Sequence, residues 1–576
     1  MSYIDYAARS QSGTRVRDDD EAEAGSQQHQ QPQYHADPFA DQHVAGDAGG
    51  RALRGRGHDF SVERIHTEGD DLGNYHPYRG EGGLPSSTAS PRPSHQANGL
   101  QREPSHQEPF FDPTFEDYTH EAPLEMPFFD HVVQDYGNFG TLSKLRVQFG
   151  QFISFLLTLG ALGLVVIASF AHYLNPFARS PPRAKADREY ERRVTGERGS
   201  GRVQYYAEYW GYRCDEHEVI TEGGWILKVH RISDPRRPGG AGYPVVLQHG
   251  ILCNSSHFIM NEERSLAFWL VDQGYDVWLP NIRANYNAGH TEFSRSDPRF
   301  WAWGLKELAF DLRDVVEFIC EATAHPRLAY VGHSQGSGSM YLALSPGICP
   351  ELGDRLSVFV ALGPSVYAGP VLRRFPFSLI RKFRSRKWWS FVFGIKQFIP
   401  AIALVQRVLP SFIFGHLAYV MFSYMFGFHM RLTPKRQIPK VFRSLPVPTS
   451  SELLYWYMAA WAARGCIFDP RMQEPWFPRS FPPHSMYYGT IDLLVLGKPL
   501  AQRLQRHEHN VDIVHCVELD GYEHLDFMFS HDAWRVVFPG IKDSIESTID
   551  PEDRAPAMRE VDAPVATTGR RSRRGI

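Results

Sequence analysis

The chain has 576 residues, a formal net charge of −4 and a pI near 6.7, so no global basic excess marks a nucleic-acid binder. Its length suits one large domain with extensions, or two or three domains. Six scattered cysteines (Cys214, Cys253, Cys320, Cys349, Cys466 and Cys516) contain no Cys-x-x-Cys pair. That argues against a zinc or redox motif, and so low a density favours a reducing compartment.

Residues 1–125 are read as a disordered arm. Gln-rich, Gly-rich and Ser/Pro-rich tracts with few apolar runs cannot bury enough surface to offset the entropy of ordering. His29, His35 and His43 within it read as compositional noise rather than a metal site. Residues 152–170, FISFLLTLGALGLVVIASF, carry no charge, and apolar character continues to Leu174. At 1.5 Å per residue the stretch can cross a hydrocarbon core of about 30 Å, and 152–174 is expected to be a transmembrane helix. It begins too far into the chain for a cleaved signal peptide. Lys144 and Arg146 precede it, whereas Arg179, Arg183, Lys185, Arg188, Arg192 and Arg193 follow. The excess on the C-terminal side predicts a cytosolic location for everything downstream. The one sequon, Asn254-Ser255-Ser256, stands beside the candidate site, where a glycan would obstruct it.

From about 203 to 545 strand-like and helix-like segments alternate. Strands are expected at 226–232, 244–248, 275–279, 328–331, 357–361, 486–488 and 511–517. A helix is expected at 305–322, with Leu308, Leu312, Val315 and Ile319 on one side. The alternation predicts an α/β fold with a mostly parallel sheet covered on both faces. Gly332-His333-Ser334-Gln335-Gly336 follows a strand and opens a helix, the setting of a nucleophile elbow. A serine hydroxyl becomes nucleophilic only when a histidine takes its proton, and that histidine needs an acid to orient it. In the order this fold uses, Asp492 after strand 486–488 is the candidate acid and His524 after strand 511–517 the candidate base. His515, in a strand, and His531, in a helical stretch, are weaker candidates, and Asp520 and Asp526 lie too near His524 to orient it. His249 and His333 are expected to make local hydrogen bonds. Backbone N–H groups of Gln335 and Ile251 are the candidate oxyanion donors.

Residues 365–480 separate this elbow region from Asp492 and read as a cap inserted between the core parts 203–364 and 481–545. The insertion opens with Arg373, Arg374, Arg381, Lys382, Arg384, Arg386 and Lys387, then Trp388-Trp389, and continues apolar to Phe428. Residues 408–428 hold no charge and have the length of a span. One crossing there would put Ser334 and His524 on opposite sides of a bilayer, which catalysis forbids. The segment is therefore a cap that dips into a lipid surface, a membrane hairpin with 388–405, or a buried helical subdomain. The tail 551–576, ending Arg570-Arg571-Ser572-Arg573-Arg574, reads as solvated.

Taken together, several motifs carry a family resemblance: Tyr209-Trp210-Gly211-Tyr212, LQHGILCNSSHF (247–258), GYDVWLPNIR (274–283), GHSQG and Glu523-His524-Leu525-Asp526-Phe527. In that order they resemble the acid lipase family of α/β-hydrolases over about 205–545. An arm, one membrane segment and then the lipase region most resemble the membrane-anchored steryl ester hydrolases of fungi. The resemblance implies Ser334, Asp492 and His524 as the triad, no cofactor or metal, and long-chain lipid esters as substrate at a membrane or lipid-droplet surface. Relatives more often read Asn-x-Arg-Gly-Asn where this chain has Asn281-Ile282-Arg283-Ala284-Asn285. An acyltransferase with the same triad and a non-catalytic lipid tether are the alternative functions.

Overall fold

The structure, a computed structural model, describes residues 60–65, 133, 135–175, 190, 195, 197, 202–236, 242–382 and 385–554. Its centre is a ten-stranded sheet. The strands are β1 (Glu63–Ile65), β2 (Arg213–Ile220), β3 (Trp225–Ser233), β4 (Pro244–Gln248), β5 (Asp276–Pro280), β6 (Gly289–His290), β7 (Leu328–His333), β8 (Leu356–Leu362), β9 (His484–Gly489) and β10 (Ile513–Leu519). Their order across the sheet is β1-β10-β9-β8-β7-β4-β5-β3-β2, with β6 beside β3. From β5 to β1 every pairing is parallel, and the pairs made by β3 are antiparallel. The middle strands β4, β5, β7, β8 and β9 are buried at every residue, as expected when helices cover both faces. The mostly parallel, covered sheet expected from the alternation is the one observed, and it has the α/β-hydrolase architecture that the resemblance implies.

The helix Leu305–Thr323 shows how this core is built. Leu308, Leu312, Val315, Val316 and Ile319 recur at helical spacing and are all buried against the sheet. Glu307 closes its first turn by accepting the Gly304 N–H at 2.7 Å.

Three strands escape a reading by apolar runs: the two-residue β6, β2 and β1. β2 carries Arg213, Asp215, Glu216 and Glu218, yet pairs with β3 over eight residues at the antiparallel edge, where one face is exposed. β1 corrects the expectation of disorder for 1–125, because Glu63–Ile65 adds a parallel strand to β10. Arg64 there pairs with Glu518 at 3.5 Å and with Asp520 at 3.8 Å, while Phe60 and Ile65 pack on the two core clusters. Composition describes the long arm; pairing with an otherwise open sheet edge decides these few residues. The rest of the arm, the basic residues at 179–193 and the Arg-rich tail lie outside the described residues.

Among the described residues one helix, Thr141–Tyr173, is long and apolar enough to cross a membrane, and it begins eleven residues before the apolar stretch 152–170. Between β8 and β9 the inserted segment is helical, including Phe377–Lys382, Arg386–Phe393, Ala401–Val408 and Ser411–Phe426. The run 408–428 is thus broken at Pro410, leaving a helix of 16 residues or about 24 Å, short of a hydrocarbon core. Its proposed hairpin partner 388–405 is two eight-residue helices rather than one. Arg386 forms an ion pair with Glu452 and lies over the Tyr455 ring, so it is occupied inside the cap rather than facing headgroups.

Candidate active site

Ser334 stands between the end of β7 and the helix Gln335–Ala343, with φ 54° and ψ −116°. A non-glycine residue held there costs about 1–3 kcal/mol and persists only where its surroundings enforce it. Here its N–H donates to Leu362 O at 3.0 Å, and its carbonyl accepts from Gly338 N at 3.0 Å and Ser365 Oγ at 3.2 Å. The flanking glycines are steric requirements. A Cβ on Gly332 would come within 2.7 Å of Ser337 N, and one on Gly336 within 2.5 Å of Gln248 O.

Asp492 and His524 come from the loops after β9 and β10. His524 Nδ1 donates to Asp492 Oδ2 at 2.7 Å, and Asp492 Oδ1 accepts the N–H groups of Leu494 and Val495 at 2.9 and 3.1 Å. One carboxylate oxygen is therefore held by backbone while the other faces the imidazole. Both residues are buried. Phe428, just past the helix Ser411–Phe426, lies over the His524 ring at 5.7 Å and 8° from parallel. Gly363, at φ 52°, leaves room for the ring; a Cβ there would sit 3.4 Å from Nδ1 and 3.0 Å from Phe527.

The turn after β4 meets the elbow directly. A Cβ on Gly250 would lie 3.0 Å from that of Ser334, so Ile251 follows the point of closest approach. Gln335 opens the elbow helix, where N–H groups have no partner within the helix.

Of the weaker candidates, His515 lies within β10, as its pattern indicates. His531 is not helical: it falls between Asp526–Phe529 and Ala533–Val536, where its N–H and Nδ1 both meet Leu432 O. His249 bonds locally to Gly250 O, but His333 reaches 191 residues along the chain to His524 O at 2.9 Å. His257 stacks on His333 at 5.5 Å, making a buried run of three imidazoles. Burial pushes His257 down to about 3, His249 down to about 4 and His333 well below its ordinary value. Glu523 is a second contact that sequence reasoning missed. It accepts from Met430 N and His429 Nδ1, each at 2.9 Å, tying the end of the cap helix to the His524 loop. The only sequence signal for it was its place beside His524.

Residues 203–262 match the family described as a partial alpha/beta-hydrolase lipase region, and residues 243–375 match the alpha/beta hydrolase fold. The human lysosomal acid lipase/cholesteryl ester hydrolase is 31% identical over 372 residues, covering 58% of this chain and 88% of that one. The human gastric triacylglycerol lipase is 30% identical over 363 residues, with the same coverage of both chains. The chain belongs to the acid lipase family. Sterol esterase 2 of Saccharomyces cerevisiae is 27% identical over 377 residues, 58% of this chain and 69% of that one. The protein is a carboxylic ester hydrolase of the lipase type.

Proposed function

We propose that Ser334, Asp492 and His524 form the catalytic triad of a lipase acting on long-chain lipid esters, steryl esters first and triacylglycerols second. The observation that carries this reading is the buried 2.7 Å His524–Asp492 hydrogen bond, in the same fold as an elbow serine held at φ 54°. With Nδ1 engaged by Asp492, Nε2 of His524 is the nitrogen left to take the Ser334 proton. Ser334 Oγ then attacks the ester carbonyl, and the N–H groups of Gln335 and Ile251 receive the developing oxyanion. Protonated His524 returns its proton to the departing alcohol. Water, deprotonated by the same imidazole, releases the fatty acid and restores Ser334.

In this reading 203–364 and 481–545 are the catalytic core and 365–480 the cap. Ser334 and His524 are each 3% exposed, so an ester enters beneath the cap, and the Phe428 end of its long helix moves aside. The relatives' names cover both steryl esters and triacylglycerols, and the apolar cap favours long chains over small polar esters. The helix Thr141–Tyr173 anchors the enzyme to a membrane or lipid-droplet surface, with the catalytic core in the cytosol. The basic residues at 179–193 support that side, as do six unpaired cysteines, five of them buried. Asn254 of the one sequon is buried, and its side chain accepts from Ser256 N at 3.0 Å, so it offers no glycan acceptor.

The test is hydrolysis of steryl oleate and of trioleoylglycerol, separately, by detergent-solubilised protein. Ser334→Ala is expected to lose at least about 10⁴-fold in kcat while still binding lipid surfaces. Retained turnover in the mutant removes Ser334 as the nucleophile. Transfer of the acyl group to an added alcohol in preference to water favours the acyltransferase.

A further inference from the structure

A single crossing of the bilayer by the helix Thr141–Tyr173 would separate what comes before it from what comes after. Three observations place both on one body. First, β1 precedes the helix by about 75 residues, yet pairs in register with β10, Arg64 opposite Glu518. Second, the two flanks of the helix both dock on the catalytic unit. Upstream, Gly137 lies so close to Arg299 that a Cβ would fall 2.7 Å from its Nη1. Downstream, Tyr190 accepts from Arg436 Nε at 3.2 Å through its carbonyl, and its hydroxyl from Gln437 Nε2 at 3.0 Å. Third, the helix follows the cap from one end to the other. Gln151 Oε1 accepts from Ile395 N at 3.3 Å, Ser154 Oγ donates to Phe391 O at 2.8 Å, and His172 packs on Tyr424 at 5.5 Å.

The side chains on the two faces of the helix point to what surrounds it. Its buried residues are Ser154, Thr158 and Ser169, three hydroxyls on one face. Phe149, Phe152, Leu164, Ile167 and Phe170 are exposed. Small hydroxyl residues at a helix seam and bulky apolar ones outside are the arrangement of a helix solvated by acyl chains. The apolar surface continues onto the cap through Trp388, Phe391, Leu404, Val408 and Phe412, all more than half exposed. A surface this large, covering one helix of about 50 Å and its cap, does not face water in a stable monomer.

We infer that the helix Thr141–Tyr173 is embedded with the cap in a single phospholipid leaflet and does not cross the bilayer, so that the arm before it and the catalytic unit after it share one side. This rests on the reading of the helix as a membrane anchor and replaces the single crossing expected from its length. The sheet edge then closes with a strand from the arm, and the cap, whose Phe428 lies over His524, meets the leaflet from which a lipid ester would enter.

The test uses the full chain with an epitope at each terminus, in sealed microsomes from cells that express it. Carbonate extraction comes first. Protein retained in the membrane keeps the anchor, and protein released by carbonate overturns both the anchor and the embedding. Protease added without detergent is then expected to remove both epitopes together. Protection of one epitope in carbonate-resistant protein overturns the inference and leaves the anchor standing. Independently, Arg64→Cys with Glu518→Cys is expected to cross-link on mild oxidation of intact membranes, whereas either variant alone is not. Absence of the cross-link in an enzyme that still hydrolyses ester also overturns it.

Discussion

Two long helices of this molecule bury opposite kinds of residue. Leu305–Thr323 turns its apolar stripe to the sheet and its charges away from it, except Asp311, which is buried. Thr141–Tyr173 turns serine and threonine to the cap and leaves most of its phenylalanines and leucines outside. The first is the pattern of a helix whose outer solvent is water, the second of one whose outer solvent is hydrocarbon. The same chain therefore uses two rules for what is inside, and the boundary between them runs through the cap. The cap helix Ser411–Phe426 packs near the apolar helix, while the segment just after it holds His524 through Phe428 and Glu523. An exposed apolar surface and the proposed catalytic base are thus one short segment apart.

Breaking the water-side rule is expected to have the largest effect. Arg283 and Asp311 are buried and paired through two hydrogen bonds of 2.6 and 2.8 Å, with the guanidinium 4.5 Å over Trp225. Asp311→Asn leaves a buried guanidinium without its counter-charge, a loss of about 3–5 kcal/mol measured by chemical denaturation. Membrane retention is expected to be unchanged, because the pair lies in the catalytic unit. Equal stability in the mutant would show that Arg283 does not need the charge of Asp311.

Acidification acts on the same region. His230, His249 and His484 are pushed down to about 4 and His257 to about 3, in each case chiefly by burial. Below pH 6.5 the unfolded chain takes up protons that these folded histidines refuse, so their contribution is complete above that pH and declines as pH falls toward 4. Each contributes on the order of 1 kcal/mol per pH unit across that window. Asp526 opposes them, since burial raises its carboxyl well above the ordinary range and the fold favours its protonated form. His217, His290 and His333 are also lowered, and Glu197, Asp311 and Asp543 also raised, so seven histidines against four carboxyls predict a melting temperature lower at pH 5 than at pH 7. A flat or rising profile would mean that the imidazole sites admit water.

Smaller effects are expected at the seam between the helix Thr141–Tyr173 and the cap, where the buried residues of that helix are hydroxyls. Ser154→Ala removes the bond to Phe391 O and is expected to cost about 1 kcal/mol of thermal stability in detergent, with carbonate resistance and steryl ester turnover kept. Loss of carbonate resistance instead would mean that cap docking, not the apolar surface, holds the protein in the membrane.

Much of the water-side half was legible in the residues themselves. The buried strands β4, β7 and β8 are short apolar runs, the elbow is a glycine-spaced pentapeptide, and the strand ends before Asp492 and His524 announce themselves. Residues whose role depends on a distant partner were not legible. β1 is strand because β10 has an open edge. His333 looked like a turn residue until its ring reached His524, and Glu523 became a clamp only once Met430 and His429 lay beside it. The helix Thr141–Tyr173 is the sharpest case: length and composition mark it as able to cross a membrane, but β1 and the docked flanks bear on whether it does.

The smallest predicted effect tests a departure from the family pattern. Ala284 replaces the glycine more usual in Asn-x-Arg-Gly-Asn, and its φ is 70°, in the left-handed region that glycine enters freely. Its carbonyl accepts both terminal nitrogens of Arg295, at 3.2 and 3.1 Å, and neighbouring Asn285 donates to Cys253 O at 3.1 Å. The loop is therefore fixed to the turn that leads from Ile251, and the fold does not let Ala284 relax. A left-handed alanine costs about 1–2 kcal/mol, while glycine would free the unfolded chain by about 0.4–1 kcal/mol. The strain outweighs the entropy, so Ala284→Gly is expected to stabilise by less than about 1 kcal/mol, a rise of about 2 °C or less in melting temperature. A fall instead would mean that the buried methyl packs better than its backbone suffers, and that the family's glycine answers to something other than φ.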